Sequence, residues 1–189
     1  HPKTCRSLNP RPISLLSVID KLMESMVLPL LLWKIGSPDR DVRGFTQGIS
    51  NQDCITYVLA NLSEHYNKTQ KYKPVAIFLD VEKAFKLANR LVVTELLISK
   101  GVKGRMLSWL GDYLKNRTAK VRYQGTLSQS HIYDNGTPQG SVLSPTLFNL
   151  LMEDIVWQPY HCATKVLSYA DDLVTGQHDP EPEFAGKRS

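Results

Sequence analysis

The sequence predicts an α+β fold, a small antiparallel sheet with helices packed behind it and a helical lobe on its N-terminal side. Three observations carry that expectation. Apolar residues recur at helical intervals over two long N-terminal stretches. A short continuous apolar run, "VAIFLD", ends on Asp80. Near the other end "KVLSY" turns through "ADD" into "LVTG", a hairpin with adjacent aspartates Asp171 and Asp172 at its tip.

In "SLLSVIDKLMESMVLPLLLWKI", Leu15, Val18, Leu22, Met26 and Leu30 follow at three- and four-residue steps, with Ile19, Met23, Val27 and Leu31 alongside. This broad apolar face predicts a well-buried helix, stopped by Gly36, Ser37 and Pro38. A second helix starts at "SNQD", where Ser50 caps and Asp53 stands three residues on, and Ile55, Val58, Leu59 and Leu62 line one side. After the polar "NKTQKYKP", the run "VAIFLD" reads as a central strand covered on both faces. Helices are expected over Asn89 to Lys100, stopped by Gly101, and from about Gly104 to Lys115. "KVRYQ" and "SHIYD", separated by Gly125 and Ser128, read as a hairpin with a longer loop, and a helix follows from about Pro145 to Val156. No internal repeat is visible.

With 189 residues, 42% of them hydrophobic, the chain has enough apolar mass for one domain or two small lobes, which excludes general disorder. Its formal net charge of +5 suits a phosphate-bearing partner but is also common on proteins that bind no nucleic acid. Cys5, Cys54 and Cys162 have no spacing that suggests a zinc site or disulfide framework, so reduced thiols in an intracellular protein are expected. Sequons at Asn61, Asn67, Asn116 and Asn135 are read as chance, since no secretory signal precedes them. No apolar run approaches the roughly 18 residues of a membrane span, and no membrane partner is expected. The first residue, His1, and the polar ending "GQHDPEPEFAGKRS" suggest a piece of something longer.

Asp80 at a strand end and Asp171 and Asp172 at a hairpin tip would share a small volume if their strands were neighbours. Their mutual repulsion would then favour a bound cation or a basic partner. Hard carboxylate oxygens favour Mg²⁺, and two such ions about 3.5 to 4 Å apart suit in-line phosphoryl displacement. Each residue also has a plainer reading: Asp-Asp is good turn chemistry, and Asp80 alone could cap a helix.

An ordered set of companions accompanies the aspartates. "RPISLLSVIDKLME", "GFTQGISNQDCI", "FLDVEKAF", "NGTPQGSVLSPTLFNL" and "YADDL" cover most of the chain from Arg11 to Leu173. In that order they resemble the reverse transcriptases of non-LTR, LINE-like retrotransposons. The resemblance implies the fingers and palm of a right-hand polymerase with the thumb missing. Residues 1–70 would be partial fingers, 71–176 the palm with its nucleotide-binding loop and catalytic hairpin, and 177–189 a disordered tail. Asp80, Asp171 and Asp172 match the family's metal-binding carboxylates, and the Val81 carbonyl a further metal contact. Phe85 matches the aromatic beneath the sugar of the incoming nucleotide, which rejects a 2′-hydroxyl; the plain alternative is a core aromatic. Gln139 and Gly140 match the loop that holds template base and nucleotide. Arg11 matches a triphosphate-binding arginine, and Tyr169 and Ala170 match residues near the primer end and the sugar. Two Mg²⁺ ions, replaceable by Mn²⁺, an RNA template, a DNA primer and deoxynucleoside triphosphates are the implied cofactors and partners. Scattered cations, Lys68, Lys71, Lys73, Lys83, Lys86, Arg90, Lys115, Arg117, Lys120 and Arg122, are candidates for phosphate contacts, with most of them expected to be ordinary solvated surface.

The chain departs from the family pattern at Lys86, where an acidic residue is usual, and at Thr46, where a basic one is usual. These changes and the missing thumb lead to the expectation that the isolated chain binds Mg²⁺ and nucleic acid weakly and extends primers poorly. The alternative is a decayed or domesticated remnant acting as a nucleic-acid-binding or interaction module. A ribonucleoprotein of nucleus and cytoplasm is the expected setting.

Overall fold

The computed structural model of the chain describes residues 13–69, 75–81, 84–133, 135–158, 160 and 164–177. Helix α1 (Val18–Ile35) starts where Ser17 Oγ accepts from the Asp20 amide at 3.1 Å, and it ends at Gly36, whose N–H donates to Leu32 O at 2.9 Å. Helix α2 (Asn51–Thr69) starts in the expected capping box: Asp53 Oδ2 accepts from the Ser50 amide and hydroxyl, both at 2.7 Å, and its own amide returns a bond to Ser50 Oγ. Those two bonds hold the Asp53 carboxyl below its usual pKa.

Strand β1 (Ala76–Asp80) leads through the short α3 (Ala84–Leu87) into α4 (Arg90–Ser99), capped by Asn89, and then α5 (Arg105–Leu114). Two small ladders follow, nested rather than forming one hairpin. β2 (Arg117–Ala119) pairs with β5 (His131–Tyr133), while β3 (Arg122–Tyr123) pairs with β4 (Thr126–Leu127) inside it. The difference from "KVRYQ" against "SHIYD" lies at Gln124 and Gly125, both at positive φ (46° and 82°), where a tight turn folds the chain back early. Helix α6 (Ser144–Val156) and the hairpin of β6 (Thr164–Tyr169) and β7 (Asp172–Gln177) complete the described chain. Both match expectation; the proposed disordered tail lies outside the described residues beyond Gln177.

The main sheet is antiparallel in the order β1-β7-β6, and Val42 adds a parallel bridge to Ser168 on the free side of β6. Helix α6 is the hub of the core because its two apolar faces serve two clusters. Leu147 and Leu150 pack with Leu31, Val93, Leu97, Val102, Leu110, Leu114 and Leu143; Phe148 and Met152 pack with Val42, Ala84, Val166 and Leu173 beneath the sheet.

Two expectations fail. Helix α1 is not well buried: Leu22 is 60% exposed and Trp33 82%, and its only fully enclosed residues are Leu31 and the polar Glu24. Among the described residues β1 is an edge strand, not a central one, and Phe78 is 72% exposed. An apolar run records that a surface avoids water but not which element covers it, and among the described residues α2 stands off from β1 across a cleft of about 610 Å³. No described helix is long and apolar enough to cross a membrane. Replacing fully buried Leu147 by Ala should cost about 2–5 kcal/mol in urea unfolding, whereas Leu22→Ala on the exposed face of α1 should stay within about 0.5 kcal/mol.

Candidate active site

The register of β1 against β7 decides where the acidic residues go. Asp80 lies directly opposite Asp172, Leu79 opposite Leu173 and Phe78 opposite Val174. Opposed residues on adjacent strands share a face, with Cβ atoms about 4.5–5.5 Å apart. Tyr169 pairs with Asp172 across the hairpin, leaving Ala170 and Asp171 as a two-residue turn in which Ala170 takes a left-handed φ of 53°. The Val81 amide donates to Asp171 O at 3.3 Å, which fastens the end of β1 to that turn. Asp80 and Asp172 are solvent-exposed, Asp171 is half-buried, and Asp80, Asp172 and Tyr169 line the cleft beneath α2.

The register brings the backbones of Asp80 and Asp172 opposite one another, with Asp171 on the adjoining turn. Among the described residues, no three acidic, histidine or cysteine side chains are gathered closely enough to enclose a metal ion. The strand pairing supplies two facing carboxylates and a third on the adjoining turn, an all-oxygen donor set of the kind that suits a hard divalent cation.

Phe85 is half-buried, its ring stacked on Phe148 at 4.5 Å and met edge-on by Phe45 at 5.9 Å. It is therefore braced by the core on one side and by the Gly44–Phe45 loop on another. That loop seats the Ala170–Asp171 turn. A Cβ on Gly44 would lie 2.2 Å from Ala170 N, the Gly44 carbonyl accepts from buried Asn149 Nδ2 at 2.6 Å, and the Arg43 amide donates to Ser168 O at 2.9 Å. Thr46 bonds back to Gly44 O at 3.2 Å.

Gln139 and Gly140 lie in a loop tied to α3, where Thr137 N donates to Phe85 O at 2.8 Å and Gly136 N to Ala88 O at 2.7 Å. The close approach that requires glycine at 140 is to the protein itself. Gly140 has a φ of 111°, and a Cβ there would sit 3.0 Å from Ser14 O, while Ser14 N donates to Gln139 O at 2.7 Å. Arg11 lies outside the described residues.

Arg117, one of the cations considered for phosphate, instead donates through Nη2 to the carbonyls of Asn135 and Gly136 and holds this loop; its burial lowers its pKa. Lys115, Lys120 and Arg122 are exposed. Sequence reasoning missed Gly44, Asn149 and Glu24. The available signals were a glycine before an aromatic in "GFT" and a carboxylate set within the apolar "LMESMV".

The arrangement of helices and sheet that carries these residues has counterparts among solved telomerases. A telomerase from Candida tropicalis, solved with a fragment of telomeric RNA, overlays with a TM-score of 0.59 at 13% identity, covering 82% of this chain and 29% of that one. A telomerase from Candida albicans overlays at 0.55 and 12% identity, covering 86% and 31%. At such identities the likeness establishes a shared fold.

The chain belongs to the reverse transcriptase family: residues 2–182 match the family model for reverse transcriptase (RNA-dependent DNA polymerase). It is 30% identical over 175 residues to a probable RNA-directed DNA polymerase from transposon BS of Drosophila melanogaster, covering 86% of this chain and 18% of the relative. It is 27% identical over 187 residues to the Pol polyprotein of the type-2 retrotransposable element R2DM of the same organism, covering 92% and 17%. The chain thus spans less than a fifth of the length of these relatives.

Gly44→Ala should push the Ala170–Asp171 turn off its seat. The expected result is a loss of about 1–3 kcal/mol in unfolding free energy, the range for overpacking, with amide shifts centred on Ala170 in the NMR spectrum.

Proposed function

We propose that this chain forms the palm and part of the fingers of an RNA-directed DNA polymerase that adds deoxynucleotides to a primer 3′-hydroxyl. The observation that carries the proposal is the register that sets Asp80 opposite Asp172 with Asp171 on the adjoining turn. In this reading residues 1–70 contribute to the fingers and 71–176 form the palm. Asp80, Asp171, Asp172 and the Val81 carbonyl would hold two Mg²⁺ ions. When bound, such ions favour ionisation of the attacking hydroxyl and neutralise charge on the pyrophosphate leaving group.

The remaining roles belong to the chain's own groups. Phe85, unable to retreat from its stack on Phe148, lies under the sugar and leaves no room for a 2′-hydroxyl. Gln139 and Gly140 present the edge of a rigid loop to template base and nucleotide, and Arg11, a planar fork of donors, meets the triphosphate. Tyr169 and Ala170 border the primer end. The RNA template, suggested by the family and by the RNA-bound telomerase of the same fold, would run along a surface where Lys120 and Arg122 are exposed.

The test is primer extension on an RNA template by this chain joined to a helical thumb segment from one of its relatives. Asp171→Asn should lower the rate by at least about 100-fold, beyond the 10- to 100-fold typical of an outer-shell partner; undiminished extension would end the proposal. In the same assay Phe85→Ala should raise the ribonucleotide-to-deoxyribonucleotide incorporation ratio by about 10- to 200-fold, the range for a steric pocket contact. Unchanged sugar selectivity would remove Phe85 from that role alone.

A further inference from the structure

Glu24 stands in the second turn of α1 and is 2% exposed, a carboxylate enclosed in a helix whose other residues mostly face water. A buried carboxylate is costly to desolvate and persists where donors are aimed at it. Here three donors meet one oxygen: Glu24 Oε2 accepts from Ser141 Oγ at 2.5 Å, from the Val142 amide at 2.6 Å and from the Leu143 amide at 3.1 Å. The two amides sit at the start of α6, where backbone N–H groups lack intrahelical partners and the helix dipole favours negative charge. Behind Ser141, Tyr113 Oη lies 2.5 Å from Ser141 Oγ; with the serine proton committed to Glu24, the phenol is the donor. Burial raises the Tyr113 pKa, which keeps it protonated for that role. The result is a directed chain from Tyr113 to Ser141 to Glu24.

What this chain holds is the loop just before α6. Ser144 Oγ donates to Pro138 O at 2.8 Å and the Ser141 amide to the same carbonyl at 3.1 Å, while Ser14, just ahead of α1, donates to Gln139 O at 2.7 Å. Helix α1 therefore grips the Gln139–Gly140 turn from two directions, through its N-terminal lead-in and through Glu24. An apolar side chain at position 24 could fill the same space, but it could not fix the backbone of residues 141–143.

We propose that Glu24 is a positioning residue that sets the shape of the Gln139–Gly140 loop for the incoming deoxynucleotide; the inference rests on the reading of that loop as nucleotide-binding. The test compares wild-type 189-residue chain with Glu24→Gln in two measurements: amide hydrogen exchange, and binding of fluorescently labelled dATP with Mg²⁺. Loss of the charged acceptor should speed exchange at Val142 and Leu143 by about tenfold and weaken dATP binding by about tenfold, with β6 and β7 amides unchanged. Unchanged exchange, or exchange raised equally through β6 and β7, overturns the proposal, because Glu24 then holds either nothing or only the fold. Local loosening with undiminished dATP affinity also overturns it and leaves the proposed function standing. No dATP binding by the wild-type chain overturns the nucleotide-loop reading and this inference with it. If Glu24→Gln does not fold, Tyr113→Phe, which cuts the relay but leaves both amide bonds to Glu24, should loosen the loop and weaken dATP binding in the same direction by a smaller factor; no change in either overturns the proposal.

Discussion

Two like charges held at paired positions on neighbouring strands oppose the sheet that holds them. Asp80 and Asp172 are such a pair, so the pairing of β1 with β7 must be secured by the rest of the ladder and by what lies beneath it. One face of the ladder does this through Leu173 and Val166, which bury against Phe148 and Met152 of α6. The carboxylates share the other face with Phe78 and Val174, toward the open cleft. The repulsion is thus kept in water, where screening weakens it, while the apolar face supplies the cohesion.

Because α6 underlies the sheet, whatever fixes α6 also fixes the acidic tip. Its apolar faces do so by packing, and its polar residues do so by direction. Asn149, buried inside the helix, reaches Gly44 O, and Gly44 abuts the backbone of Ala170 in the acidic turn. At the N-terminal end of the same helix, Glu24 and Ser141 hold the loop that carries Gln139 and Gly140. The acidic tip and the Gln139–Gly140 loop of the candidate site are consequently set from one helix. Phe85 links them a second time: its ring stacks on Phe148 and its carbonyl accepts from Thr137.

Helices α2, α4, α5 and α6 and the final hairpin were legible because their signals are local: periodic apolar residues, a Ser50–Asp53 capping box, Asn89 at a helix start, Gly101 at an end. The burial of α1 and β1 was misread because hydrophobicity along the chain does not say which partner lies opposite. The nested ladders between residues 117 and 133 were missed because their outcome turns on left-handed conformations at Gln124 and Gly125, and Gln124 gives little warning of that. Arg117 read as a surface cation and proved to be half-enclosed against two carbonyls, since charge in a sequence carries no information about burial.

Of the candidate site, the order of the motifs singled out Asp80, Phe85, Gln139, Gly140, Asp171 and Asp172 as candidates, because it is a pattern carried by short segments. The residues that hold them in place, Glu24, Gly44 and Asn149, lie 105 to 119 positions from their hydrogen-bond partners or, for Gly44, beside a turn far along the chain. Such contacts are chosen when helices pack and strands register, through distances and donor directions that no local pattern encodes. Chain order therefore determined the chemical inventory and the family, and folding in three dimensions decided which groups face one another and which are enclosed.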